Sequence, residues 1–286
     1  MYEMLEQLRY ENHLGEEINF GRDGLYVNQN DLHDFSWTTT SVNGVITGFE
    51  RGMQTRSIPV RIACLSESDG ITKRNRLFEI PEKDIIAGQY GRLWINGYYC
   101  ECFITASKKA RYAASDSYMA ATLTVTTDRP VWVKETLVEV TKSVSWTPIV
   151  SGTGLDIPFD FPFDLCGTVP RTVQRANGAF VESNFRLVAH GACNAVSVTI
   201  NDHLYEVAAS VQTGETLTID SSLKKIYITD ADGGFENVFD KRNRDSYIFE
   251  KIAPGTLDVQ WNNEYTIDLY LLEERSEPKW RMGEEI

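Results

Sequence analysis

Three aspartates recur at four-residue intervals in one short stretch of the chain, at Asp156, Asp160 and Asp164. Carboxylates in pairs can act as the acid and the base of glycoside hydrolysis when a rigid cleft holds them at a fixed separation. A helix would align these three on one face, but Pro158 and Pro162 disfavour a helix here. The pattern therefore favours a connecting segment over a catalytic site.

A second acidic stretch, residues 230–240, begins like a calcium-binding loop with Asp230 and Asp232. The EF-hand pattern requires glycine at its sixth position and glutamate at its twelfth. Phe235 and Lys241 stand at those positions. We therefore expect a polar hairpin loop without a bound metal.

The remaining candidates for chemistry are isolated in the sequence. The four histidines show no HExxH or i,i+4 metal spacing; they are His13, His33, His190 and His203. No GxSxG nucleophile elbow and no glycine-rich phosphate loop occurs. One compact basic run, residues 241–244, is flanked by Asp240 and Asp245. It predicts a self-neutralised surface loop, with a partner contact as the alternative.

The cysteines give no sign of a metal site or of a disulfide framework. They are Cys64, Cys100, Cys102, Cys166 and Cys193, and no pair has the two-residue gap of a zinc knuckle. In a strand, Cys100 and Cys102 would point to one face. We expect free, mostly buried thiols. The sequence thus predicts no catalytic residue, no cofactor, no metal and no enzymatic activity.

Composition describes a globular protein of two domains. The chain has 286 residues, 42% apolar and 24% charged, with a net charge of −13. This charge argues against tight binding to phosphates of nucleic acid. Residues 1–140 carry a net −4 and residues 141–286 a net −9. No apolar stretch reaches the ~20 residues of a membrane span, and the first ten residues lack the features of a secretion signal. We expect that the protein does not insert into a membrane and that it matures in a cytoplasm.

The elements that would position these residues are mostly strands. In the first half, residues 44–51, 57–63 and 121–127 are strand-like, and Asn96-Gly97 predicts a hairpin turn. Pro81 resembles the first residue of a short helix that Gly88 ends. Residues 121–127 would form an uncharged edge that a neighbouring subunit could pair in a closed ring.

The second half alternates apolar and polar residues in short runs separated by turns, at residues 196–200, 217–220, 226–228 and 267–271. Period-two alternation with frequent turns predicts a β-sandwich. Between the halves, residues 143–167 hold three prolines and three glycines but no lysine or arginine. We therefore place an N-terminal domain at 1–142, an inter-domain crossing at 143–167 and a C-terminal domain at 168–286.

Several motifs carry a resemblance to a known family. The segment Gly214-Glu-Thr-Leu-Thr-Ile-Asp-Ser-Ser-Leu-Lys-Lys-Ile-Tyr227 is followed by Phe249-Glu-Lys-Ile-Ala-Pro-Gly-Thr-Leu-Asp-Val-Gln-Trp261. Together they resemble the C-terminal domain of phage distal tail proteins. Residues 156–164 resemble the entry to that domain, and residues 32–37 and 91–99 are similar to the ring-forming half. The order of the two halves strengthens the resemblance.

The resemblance implies a mostly β protein, with an N-terminal ring-forming domain that includes a short helix and a C-terminal galectin-like β-sandwich. It implies a virion structural protein of the tail tip, assembled in the bacterial host cytoplasm. Six copies would form a ring that connects the tail tube to the tail-associated lysin protein and the receptor-binding apparatus. DNA would pass only as cargo, so the lumen should be acidic or neutral. The acidic residues at the start of the chain are the candidates: Glu3, Glu6, Glu11, Glu16 and Glu17.

The alternative is a carbohydrate-binding module or a glycan-active cell-wall protein. Trp261 and Glu264 have the tryptophan-to-glutamate spacing of the galectin sugar site, and an aromatic face beside a carboxylate is a plausible sugar platform. The His-x-Asn-Pro-Arg element of galectins is absent. We therefore expect Trp261 to pack in the core or at an edge, and exposed aromatics grouped on one sandwich face would favour the alternative.

Overall fold

The computed structural model describes residues 7–22, 24–27, 30–111, 118–140, 171–262 and 264–280. This part of the chain is mostly strand, with one α-helix, which confirms the predicted mostly-β class. The chain divides into two units, one of Met1–Lys134 with Glu274–Ile286 and one of Glu135–Glu273. The crossing at 143–167, with its aspartates and Cys166, lies outside the described residues, and the predicted domain limits stay a prediction.

The first unit contains nine strands and the α-helix. The strands are β1 (Leu8–Glu11), β2 (Glu17–Phe20), β3 (Leu25–Val27), β4 (Thr38–Val42), β5 (Val45–Glu50), β6 (Gln54–Ala63), β7 (Gly91–Ile95), β8 (Tyr98–Arg111) and β9 (Tyr118–Thr127). The predicted strands at 44–51, 57–63 and 121–127 correspond to β5, β6 and β9. The hairpin at Asn96-Gly97 joins β7 to β8, with positive φ angles of 50° and 84° as a type I′ turn requires.

The helix α1 (Glu67–Ala87) is longer than predicted and begins fourteen residues before Pro81, so the predicted start was wrong. Its N-cap is Ser66, whose side chain accepts a hydrogen bond from the Asp69 amide. Gly88, with φ of 62°, ends it as expected. Large buried side chains are concentrated in its second half, with Gly70 the buried residue near its start, so the apolar periodicity there is weak.

The strands of the first unit pair in the antiparallel sense around one core. Four strands lie in the order β2–β1–β7–β8. The second part of β8 pairs with β9, β9 pairs with β6, and β6 pairs with β3. Helix α1 packs against β2, β6 and β8. Alternate residues of these strands are buried, as in Leu93 and Ile95 of β7 and Leu123 and Val125 of β9. β9 is paired on both sides, by β6 and β8. The expectation that residues 121–127 form a free edge was therefore wrong.

The second unit is a two-sheet β-sandwich. Its strands, with the two that the unit boundary divides, are β10 (Trp132–Val140), β11 (Arg171–Asn177), β12 (Asn184–His190), β13 (Val196–Ile200), β14 (His203–Val207), β15 (Thr216–Asp220), β16 (Lys225–Thr229), β17 (Phe235–Asn237), β18 (Gly255–Trp261) and β19 (Thr266–Arg275). A short 3-10 helix spans Phe239–Lys241. The four runs predicted from alternation coincide with β13, β15, β16 and β19.

One sheet of the sandwich has the order β17–β16–β15–β12–β19–β10, and the other has the order β11–β18–β13–β14. Both contribute their inward side chains to a single core, for example Leu187, Leu217 and Leu269 from the first and Val198 and Val259 from the second. Burial of one face of each sheet is the physical basis of the alternation seen in the sequence. The described part of the chain contains no candidate for a membrane-spanning helix.

Candidate functional site

The acidic loop at Asp230 is held by hydrogen bonds between the Asp230 carboxylate and backbone amides of the same loop. Oδ1 of Asp230 accepts hydrogen bonds from the amides of Asp232 at 2.9 Å and Gly234 at 2.7 Å. The loop joins β16 to β17, so the predicted hairpin loop is confirmed. Among the described residues, no group of three or more histidine, cysteine, aspartate or glutamate side chains could hold a metal ion.

Trp261 lies in the core of the sandwich with 3% of its surface exposed. Its indole N–H donates to the backbone carbonyl of Tyr265 at 3.0 Å, whereas Glu264 is exposed. The aromatic face therefore cannot form a sugar platform with that carboxylate. The predicted role of Trp261 as a packing residue is confirmed.

The basic run at 241–244 is built into the sandwich rather than presented as a patch. The Arg242 guanidinium lies 3.9 Å from the centre of the Phe239 ring and donates to the Phe239 carbonyl at 2.8 Å. Asn243 donates to the Glu206 carboxylate at 2.6 Å. These contacts hold the loop against the 3-10 helix and β14 and favour the structural interpretation of the run.

The described thiols are free, and three of them are buried. Cys64 is partly exposed, while Cys100, Cys102 and Cys193 are buried. Burial raises the pKa of Cys100 to about 11 and that of Cys102 well above its ordinary value. A thiolate is the reactive form of cysteine, so these two thiols are poor nucleophiles.

A buried polar cluster in the first unit was missed in the sequence. The carboxylate of Asp84, on α1, is fully buried. Its Oδ2 accepts from the Tyr10 hydroxyl at 2.5 Å, and its Oδ1 accepts from the His13 amide at 2.8 Å. Nδ1 of His13 also lies 2.5 Å from Oδ1. Gly91 packs so close to this cluster that a Cβ there would overlap Tyr10 and Asp84.

The Asp84 cluster ties the C-terminal end of α1 to β1 and the turn after it. Burial, followed by the hydrogen bond to Asp84, raises the pKa of Tyr10, which keeps its hydroxyl protonated as a donor. His13 borders a cleft of about 460 Å³ that Glu11, Tyr90 and Arg92 also line. A histidine oriented by an aspartate supplies two members of a catalytic triad, but within the described part of the chain no hydrogen bond joins His13 to a serine, threonine or cysteine side chain. The geometry supports a structural role, in which the Asp84 cluster holds α1 against β1 and the turn after it.

The acidic residues near the start of the chain are paired within the first unit. The Glu11 carboxylate accepts from the Trp94 indole at 2.9 Å, Glu16 pairs with Lys83 at 2.7 Å, and Glu17 pairs with Arg9. Hydrogen bonding to Lys83 lowers the pKa of Glu16. Glu3 and Glu6 lie outside the described residues. Arg9 also lies 3.6 Å from Glu11, so Arg9 and Lys83 partly neutralise the three described glutamates. This pairing weakens them as the acidic lining of a lumen.

The most unusual surface of the first unit is an exposed hairpin, which we call the arm (residues 37–53). β4 and β5 pair with each other around an Asn43-Gly44 turn and, in the described part of the chain, with no other strand. Its exposed apolar side chains are Trp37, Val42, Val45, Ile46, Phe49 and Met53. β5 was predicted from the sequence and β4 was not, although Asn43-Gly44 between two uncharged runs is a hairpin signal.

A second exposed apolar surface lies along α1, and we call it the helix stripe. Ile71, Phe78 and Ile85 are spaced by seven residues, so they fall on one side of the helix. Their exposed fractions are 48%, 45% and 48%. The buried residues Leu77, Ile80, Pro81 and Asp84 occupy a different side. α1 therefore presents apolar residues on two sides, of which its own unit covers one.

The chain was compared with known proteins. No protein-family model and no characterised protein sequence matches it. Solved structures do match. The Dit (gp 19.1) protein of phage SPP1, described as a paradigm of the hub adsorption apparatus in phages that infect Gram-positive bacteria, has a TM-score of 0.54 and 9% identity, and the match covers 94% of this chain and 99% of that chain.

Chains of the phage P2 baseplate in its activated conformation match as well. The structure with calcium gives a TM-score of 0.61 at 10% identity and covers 96% of this chain and 100% of that chain. The structure with strontium gives 0.60 at 10% identity, covering 96% and 99%. The chain therefore has, over nearly its whole length, the fold of phage hub and baseplate proteins, and the resemblance seen in the sequence is confirmed at the level of the fold.

Proposed function

We propose that the chain is a structural component of a phage tail tip, a hub protein of the distal tail type. The observation that supports this most strongly is the end-to-end fold match, which covers 94–96% of this chain and 99–100% of the neighbours. A match confined to a β-sandwich would be compatible with many functions, because common folds host many activities. Here both units and their order in the chain match.

In this proposal six copies form a ring that connects the tail tube to the tail-associated lysin protein and the receptor-binding apparatus. The protein assembles in the bacterial host cytoplasm, resides in the virion and lets DNA pass as cargo. The N-terminal unit forms the ring, and the second unit is a galectin-like sandwich. The arm and the helix stripe are consistent with assembly, since large exposed apolar surfaces mark interfaces.

The proposed role needs no catalysis. Described carboxylates serve ion pairs, as in Glu16 with Lys83, and the Asp84 cluster, which includes His13. Cys100 and Cys102 are held as neutral thiols by burial. The alternative, a carbohydrate-binding or glycan-active protein, is weakened because Trp261, which could have served as a sugar platform, lies in the core. We therefore propose a mechanical role, in which the ring encloses a channel and fixes the positions of its partner proteins.

The test is negative-stain electron microscopy of the purified full-length protein, with its mass measured by light scattering. A ring with a central hole and the mass of six copies is the expected result. A parallel incubation with peptidoglycan and cell-wall polysaccharides should release no soluble fragments. A protein that forms no ring, and shows turnover that is lost on mutation of one acidic residue, would exclude the structural role.

A further inference from the structure

The C-terminal segment that follows β19 belongs to the first unit, where it contacts both ends of the arm. We call residues 276–280 the strap. We propose that the strap holds the arm in a fixed direction, because it contacts the segment that enters the arm and the segment that leaves it. This inference concerns a single copy of the chain and does not rest on the proposed function.

The direction of the arm is not set by its own strands. In the described part of the chain, β4 and β5 pair only with each other, and a two-stranded hairpin by itself is marginally stable in water. Contacts at the base of the arm must therefore fix how the arm projects from the unit. One of them is a hydrogen bond of 3.4 Å from the Gln54 side chain to the Ser36 carbonyl. The strap supplies others.

Arg51 joins the strap to the segment that leaves the arm. Its guanidinium lies 4.2 Å from the centre of the Trp37 ring, at the start of the arm, and donates a hydrogen bond of 3.3 Å to the Ser276 hydroxyl in the strap. Burial lowers the pKa of Arg51, and the nearby Glu274 carboxylate opposes this shift. Arg51 therefore links the two ends of the arm to each other and to the C-terminal segment.

Trp280 joins the strap to the segment that enters the arm. Its ring stacks on the ring of His33, with the ring centres 3.9 Å apart and the planes 11° apart. His33 follows Leu32, which is fully buried, and precedes Trp37 in the same loop. Because stacked rings attract each other beyond the area they bury, this contact holds the strap to a segment that the core already fixes.

The strap is itself anchored to the sheet of the first unit. The Asn96 side chain, in the turn between β7 and β8, donates a hydrogen bond of 3.3 Å to the Lys279 carbonyl. Ile95, the residue before that turn, is fully buried. Pro278 of the strap is buried as well, and its fixed φ angle limits the conformations that the strap can adopt. The strap is therefore a short, stiff segment that is attached to the sheet and touches both flanks of the arm.

The test is hydrogen–deuterium exchange of the full-length chain and of Trp280→Ala, read by mass spectrometry at a concentration where light scattering gives both proteins the same mass. Backbone amides of β4 and β5 should exchange roughly two- to tenfold faster in the variant, since the loss of one aromatic contact changes a local opening equilibrium by about that factor. Amides of β7 and β9, in the same unit, should keep their rates. Trp280→Tyr retains a ring that can stack on His33 and should exchange like the wild-type chain.

The matched control is Phe235→Ala, which removes an aromatic ring that is 76% exposed and belongs to the second unit. It should leave exchange in the arm unchanged. Unchanged exchange of the arm in Trp280→Ala would show that the strap does not hold it. Equal acceleration in the arm, β7 and β9 would also overturn the inference, because the strap would then stabilise the whole unit rather than the arm. A Trp280→Tyr protein that exchanges like Trp280→Ala would contradict the role given to the His33 stack.

Discussion

The Tyr10 hydroxyl donates a 2.5 Å hydrogen bond to Oδ2 of Asp84 across 74 residues of sequence, and both side chains are fully buried. The bond joins the first strand of the fold to the last turn of its α-helix. Because a buried carboxylate that loses a donor keeps its desolvation penalty, this contact is a sensitive point of the first unit.

We expect Tyr10→Phe to lower the free energy of unfolding by about 1–3 kcal/mol, because the Asp84 carboxylate then lacks one partner. Urea denaturation followed by tryptophan fluorescence measures this change. Tyr26→Phe is the matched control, since Tyr26 is 44% exposed and its substitution should change stability by less than ~0.5 kcal/mol. Equal effects of the two substitutions would show that the Asp84 cluster adds no stability.

Trp261→Ala should destabilise the sandwich by about 3–5 kcal/mol, since it removes a large buried ring and its hydrogen bond to Tyr265. The experiment is thermal or urea unfolding of the full-length chain. Phe235→Ala, at a ring that is 76% exposed, serves as the control with little effect. A Trp261→Ala protein of unchanged stability that loses binding to a polysaccharide would restore the sugar-site interpretation.

Stability should fall at alkaline pH through the buried thiols. Burial raises the pKa of Cys100 from 9.0 to about 11, so the folded state favours the neutral thiol. This contribution is complete below pH 9 and is lost as the pH rises to about 11, and it amounts to about 3 kcal/mol for a shift of this size. Cys102 acts in the same direction.

The measurement is the free energy of unfolding at pH 8 and pH 10 for the wild-type chain and for Cys100→Ala. The variant should lose less stability between the two pH values, because alanine does not titrate. Tyr10, Tyr205 and Tyr265 also have a raised pKa and lower stability at alkaline pH in the same way, but both proteins contain them, so their contribution cancels in the comparison. Identical pH profiles for the two proteins would contradict the role given to Cys100.

Limited proteolysis should produce two resistant pieces joined between residues 143 and 167. This crossing contains no lysine or arginine, so a protease that cuts after aromatic residues is required to cut within it, whereas trypsin can cut only beside it, after Lys142 or Arg171. Mass spectrometry would locate the cuts. A protected fragment that spans residues 143–167 would reject the predicted crossing.

Ring assembly should strengthen with added salt. Six copies at −13 each carry a net charge of −78, and salt screens repulsion between them. Most of this charge lies in residues 141–286, outside the proposed ring-forming domain, which carries a net charge near −4. Sedimentation at 20 mM and 500 mM salt tests this. Assembly that weakens at high salt would show that ion pairs, rather than apolar surfaces, hold the subunits together.

The sequence alone determined the elements whose signals are local. Strands β13, β15, β16 and β19 follow from period-two alternation, because a half-buried strand alternates its faces. The turn at Asn96-Gly97 and the end of α1 at Gly88 follow from residues that accept positive φ. The packing role of Trp261 was predicted correctly because the residues needed for a sugar site were missing beside it.

Only the tertiary structure decided the rest, because those features depend on which distant segments meet. The pairing of β9 by both β6 and β8 makes an interior strand of a segment that resembles an edge in sequence. Asp84 becomes a buried acceptor because Tyr10 and His13 arrive from the first strand and its turn. The start of α1 was not predicted. The buried residue in its first half is Gly70, so no apolar periodicity marks that half, and helix propensity alone is too weak to locate the start. The arm is visible as a surface only in three dimensions, since its apolar residues resemble core residues in sequence and exposure is a property of the fold.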